Sequence, residues 1–212
     1  RMYTLTSGDA FLSGMTSHCA KLEHTCAPGI WVKGRNSSFD TRIYGTTVLM
    51  PYVPDVVGHY MDEVLTLGGI GIEVSKVKNS NTGKPLSGNR GVQSSVEVSY
   101  PTGTNPGWSA RPPMAQPRKY ANGVPLADGT LFVVGGNSGS GVAGGVVLNP
   151  ELYDGNSWSQ LPPHDTPRTY HSTALLLPDG SVLSAGGNTA LRDYQIYKPA
   201  YLTNDEPRPV IT

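Results

Sequence analysis

The chain has 212 residues, with 26 Gly and 18 Pro, and its 16 basic residues balance 16 acidic ones to a formal net charge of zero. That balance excludes the basic footprint of a nucleic-acid binder, and no apolar run is long enough to span a bilayer. Few charges and many turn formers fit an all-β chain of short strands joined by turns.

Residues 1–34 read as the end of one structural unit. Ser7-Gly8 leads through DAFLS to Gly14, then comes SHCAKLEHTC, then a strand around Ile30-Trp31-Val32. For Cys19 and Cys26 the plain reading is a local disulfide, if the protein is secreted. Free thiols are the next reading. The interleaved His18 and His24 leave a His/Cys metal site open, although the spacing is not a standard zinc pattern. The chain starts at Arg1, with neither an initiator Met nor a signal peptide, and its first unit starts half-way through. The expectation is therefore a piece of a larger protein.

Residues 35–107 read as a second unit with two insertions. Arg42-Ile43-Tyr44 leads through TTVLM, across PYVPDVVGHYMD, to EVLTL and Gly68-Gly69. The second insertion, KVKNSNTGKPLSGNRG, is polar and Gly-rich and is expected to be a mobile loop. Val92 to Val98 alternates and predicts an outer strand. Residues 108–157 read as the third unit, with Arg118-Lys119-Tyr120, Asp128-Gly129, TLFVV and Gly135-Gly136. The loop that follows, NSGSGVAGG, lacks the Lys-Ser/Thr ending and the helix of a phosphate cradle. Residues 158–200 read as the last unit, RTYHSTALLLPDGSVLSAGG followed by YQIYKP. Its apolar runs flank Pro178-Asp179-Gly180, a hairpin signal. No convincing amphipathic helix is visible, and Val210-Ile211-Thr212 reads as the first strand of a further domain.

A Trp lies ten or eleven residues before each Arg of the three Arg-x-Tyr motifs: Trp31 before Arg42, Trp108 before Arg118, Trp158 before Arg168. Such a pattern, repeated every roughly 40–50 residues or more where loops grow, is the signature of propeller blades. About four antiparallel blades are expected, each Gly-Gly ending an inner strand. Four blades do not close a ring, so their open edges should meet further blades.

Tyr44, Tyr120 and Tyr170 share one repeat position, which makes blade packing the bland reading for each. The residue after them is Gly45, Ala121 and His171 in turn, so the repeat does not account for His171. A Tyr-His pair at the start of an inner strand places two metal donors near the propeller axis, and imidazole nitrogen with phenolate oxygen suits Cu(II). Both side chains can face one site only where the backbone is irregular, because alternation sends neighbours to opposite faces.

RTYHSTALLLPDGSVLSAGG with YQIYKPAYLTNDEPRPVIT resembles the last blade and domain exit of the galactose oxidase and glyoxal oxidase family, the copper radical oxidases. The likeness is specific across Arg168–Thr212 and looser across the earlier, kelch-like repeats. It implies four of seven propeller blades over residues 1–205 and the start of a β-sandwich domain over 206–212. It implies Tyr170 as axial copper ligand and catalytic base, and His171 as equatorial ligand. The family's cross-linked Cys-Tyr pair and second histidine have no counterpart here. Neither Cys19 nor Cys26 lies in the context of that cross-linked cysteine. The implied reaction oxidises a primary alcohol or aldehyde with O2 to give hydrogen peroxide, on a carbohydrate or small aldehyde, outside the cell. The implied partners are the remaining blades and the β-sandwich domain, in the same or another chain. A second hypothesis stands beside it: a non-catalytic kelch-like module that retains a vestigial Tyr-His pair.

Overall fold

The computed structural model describes residues 2–13, 18–23, 30–36, 41–50, 61–78, 85–102, 107–139, 144–188 and 191–203. Cys26, the Cys19 side chain, residues 189–190 and the strand expected at 210–212 lie outside the described residues.

The apolar runs form short antiparallel strands. β1 (Met2–Thr4), β2 (Ala10–Leu12), β3 (His18–Glu23) and β4 (Ile30–Asn36) make a first sheet in chain order. Next come β5 (Thr41–Ile43), β6 (Thr46–Leu49), β7 (Val64–Leu67), β8 (Ile70–Lys78), β9 (Pro85–Val92), β10 (Val96–Ser99) and β11 (Trp108–Arg111). A second blade takes β6-β7-β10-β11, and β5-β8-β9 form a separate three-stranded sheet. β12 (Asn122–Pro125), β13 (Leu131–Val134), β14 (Glu151–Tyr153) and β15 (Trp158–Gln160) form a third blade. β16 (Ser172–Leu176), β17 (Val182–Gly186) and β18 (Tyr194–Tyr197) form the fourth, before a single helical turn α1 (Ala200–Thr203). The sheets are all-β blades set side by side. Asp128 and Asp179 fix two hairpin turns by accepting the backbone N–H and hydroxyl of Thr130 and Ser181.

Three readings change. The polar insertion is not simply a mobile loop: β8 and β9 pair as a long hairpin, and ladder bonds form whatever the polarity of the side chains. Val96–Ser99 is the third strand of its blade, not an outer one, because β11 pairs beyond it. Trp108 closes the second blade instead of opening the third. Trp31, Trp108 and Trp158 lie on β4, β11 and β15, each the fourth strand of its sheet, so Trp108 belongs to the second blade.

Period-2 alternation places the cores between blades. Leu131 and Val133 face the second blade and pack with Val48, Leu65, Leu67, Val96 and Val98. Phe132 and Val134 face the fourth and pack with Val124, Leu126 and Val182. Phe11 and Leu5 meet Val64 between the first and second blades. The innermost strands are tied crosswise: Thr46 Oγ1 donates to the Ala121 carbonyl, and Asn122 Nδ2 donates to Ser172 Oγ at 3.0 Å.

Candidate metal and substrate site

Each Arg-x-Tyr motif is anchored by its arginine. Arg42, Arg118 and Arg168 are all buried. Each guanidinium donates to the carbonyl of the first Gly in its blade's Gly-Gly pair: Arg42 to Gly68 O at 3.2 Å, Arg118 to Gly135 O at 2.9 Å, Arg168 to Gly186 O at 3.0 Å. Each also meets a carboxylate from the third strand or its approach. Arg42 lies 3.4 Å from Glu97, Arg118 2.7 Å from Glu151, and Arg168 3.3 Å from Asp193. The fit then passes to the next blade. Gly69 N–H donates to Arg118 O and Gly136 N–H to Arg168 O, both at 2.6 Å. Gly68 and Gly135 sit at φ +57° and +71°, and a Cβ on either would lie 2.2 Å from that arginine's carbonyl oxygen. Glycine is required there by backbone conformation and by close approach at once. The sequence showed the Arg and Gly-Gly repeats but not this clasp between blades.

The clasp brings the tyrosines together. The rings of Tyr44 and Tyr120 lie 4.7 Å apart, those of Tyr120 and Tyr170 4.8 Å, and those of Tyr44 and Tyr170 6.5 Å. Tyr120 N–H donates to Tyr44 O at 2.9 Å, which locks the first two in place. Burial and the two neighbouring phenols push the Tyr120 hydroxyl above its ordinary pKa. Tyr44 and Tyr120 hold the left-handed backbone, at φ 60° and 62°. In the last repeat that conformation moves one residue on, to His171 at φ 65°. A left-handed non-Gly residue costs roughly 1–2 kcal/mol, and it breaks strand alternation where the sequence reading required an irregular backbone. The Tyr170 and His171 rings consequently stack at 3.8 Å, with an exposed His171 at the start of β16.

Lys119 joins the same cluster. It is 3 % exposed, and its ammonium lies 5.4 Å from the centre of the Tyr120 ring. Its backbone pairs with Asn137, so the insertion 137–145 springs from the tyrosine end of the blade. The insertion 51–62 leaves β6 after Leu49, from the opposite end. Sequence reasoning missed Lys119; its signal was that Ile43 and Thr169 hold the same place in the other repeats. No group of three or more His, Cys, Asp or Glu side chains suited to a metal lies among the described residues.

The glyoxal oxidase N-terminus family matches residues 42–205. The chain belongs to this family. The galactose oxidase of Gibberella zeae is 36 % identical over 110 residues, covering 45 % of this chain and 16 % of that protein. The aldehyde oxidase GLOX of Vitis pseudoreticulata is 36 % identical over 111 residues, covering 42 % of this chain and 21 % of the other. A solved fungal alcohol oxidase of the AA5 family, in complex with copper, has a TM-score of 0.69 at 22 % identity. That match covers 95 % of this chain and 40 % of the other. The glyoxal oxidase family chain thus spans well under half the length of the relatives it matches. Among the described residues no helix is long and apolar enough to cross a membrane.

Proposed function

We propose that this chain is part of a copper radical oxidase that takes a primary alcohol or an aldehyde, with O2, to the oxidised product and hydrogen peroxide. The observation that carries the reading is the left-handed backbone at His171, which sets the Tyr170 phenol and the His171 imidazole face to face. Phenol oxygen and imidazole nitrogen are donors that suit Cu(II), and here adjacent residues carry them. Tyr170 and His171 would hold the metal, which when bound supplies one-electron chemistry. Tyr170 takes the proton of the substrate hydroxyl. His171 serves as a ligand in its neutral form. The remaining ligands come from other parts of the protein.

The outer faces of the first and last sheets support the partner reading. Met2, Leu12 and Trp31 lie exposed on the first, and Leu175, Tyr194 and Ile196 on the last. On this proposal further blades, in the same or another chain, cover these faces, a β-sandwich domain follows, and the enzyme works outside the cell. The test is peroxide production from primary alcohols and aldehydes by the complete protein. Tyr170→Phe should slow it roughly 10²-fold or more. A complete protein that binds no copper and makes no peroxide is instead a kelch-like binding module.

A further inference from the structure

A cavity of about 300 Å³ lies between the third and fourth blades, away from the tyrosine cluster: none of Tyr44, Tyr120, Tyr170 and His171 lines it. Phe132 on β13 and Tyr197 on β18 stack in its wall, with ring centres 4.3 Å apart and planes 5° from parallel. Leu161, Pro162 and Pro163 bound it from the segment joining the two blades. Both prolines are exposed, so the cavity reaches the surface there.

Three polar side chains converge on this apolar surround. Both ring nitrogens of His164, Ser184 Oγ and Gln195 Oε1 are buried, and none has a hydrogen-bond partner among the described residues. Ser184 is 7 % exposed. Thr166 and Gln195 stand near enough to His164 to raise its pKa, yet neither meets it with hydrogen-bond geometry. Buried polar atoms are costly until something bonds to them. No Asp, Glu, Lys or Arg lines the cavity, so a charged guest finds no counter-charge. An apolar cavity of about 150 Å³ takes up benzene, so this one has room for a ring and a substituent.

We propose that this cavity is a binding site for a small neutral phenol. The ring packs against the prolines and the Phe132–Tyr197 stack. The hydroxyl, donor and acceptor at once, bonds among His164, Ser184 and Gln195. A phenol has no hydrogen on the carbon that bears its oxygen, so it is not a substrate of the proposed oxidation. The site therefore stands whether or not the oxidase reading holds.

The test titrates phenol, toluene and benzoate calorimetrically into the complete protein and into its Ser184→Val and Gln195→Met variants. Phenol should bind about tenfold or more tightly than either toluene or benzoate. Each variant should weaken phenol about fivefold and leave toluene unchanged. Gln195 is only half-buried, so Gln195→Met carries the reading if Ser184→Val fails to fold. Nuclear magnetic resonance of histidine-labelled protein locates the site: phenol should move the imidazole signal that His164→Gln removes. No phenol binding, which leaves the cavity to water alone, overturns the assignment. So does phenol affinity equal to that of toluene, phenol affinity that both variants leave intact, or a His164 signal that phenol does not move.

Discussion

The ring of Tyr120 lies 4.8 Å from that of Tyr170, so a residue that repeats as blade packing is also a wall of the candidate site. From sequence alone Tyr120 serves as a control for Tyr170, and the ring contact confines that use to Tyr120→Phe. Tyr120→Phe keeps the ring and should leave the position of Tyr170 unchanged. Tyr120→Ala removes an aromatic pair worth about 0.5–1.5 kcal/mol beyond its buried area. It should lower peroxide output and alter the visible spectrum of the copper-loaded protein. Spectra and rates of the two variants check this; identical behaviour of both contradicts it.

Gly135→Ala should destabilise the fold by about 3 kcal/mol or more, because a Cβ would press on the Arg168 carbonyl in a left-handed backbone. Gly155→Ala is the matched comparison. It has φ +97° but nothing within 4 Å, so only the backbone strain of about 1–2 kcal/mol applies. Urea midpoints of the two variants measure the difference.

His164 predicts a pH dependence. It lines a cavity of about 300 Å³ between the third and fourth blades, with Phe132, Ser184 and Gln195. Burial holds its pKa below the ordinary value, opposed by Thr166 and Gln195 and aided by Arg168 and Arg118. The folded state therefore binds that proton less readily than the unfolded chain. Stability is full above about pH 6.5 and falls as acid moves the pH toward the depressed folded value. Denaturation midpoints between pH 7.5 and 5 should fall, and His164→Gln should flatten the decline.

Leu175 is 54 % exposed on the outer face of the last blade. If further blades cover that face, Leu175→Ala in the complete protein costs about 2–5 kcal/mol. A change within about 0.5 kcal/mol would mean that the face is bare. Thermal unfolding of the complete protein decides between them.

The hairpins and Gly-Gly ends were legible because local rules set them: period-2 runs, Asp-Gly turns and glycines at positive φ. The Tyr-His pair was legible because His171 stands where the other two repeats carry the small residues Gly45 and Ala121. The arginine partners were not, because insertions of different length put Glu97, Glu151 and Asp193 at different distances from their arginines in sequence. The tyrosine cluster was hidden for another reason. Its rings meet across blades, and contacts between repeats leave no local pattern in the chain. The hairpin of β8 and β9 was hidden by its polar composition, which backbone pairing tolerates.

The most direct test of the account is the copper content of the complete protein, read with the nitrogen couplings in its Cu(II) electron paramagnetic resonance spectrum, before and after His171→Ala. The account predicts about one copper per chain with imidazole nitrogen coupling, and in the variant the loss of one nitrogen coupling with most of the metal. Full copper and an unchanged spectrum in His171→Ala would contradict it.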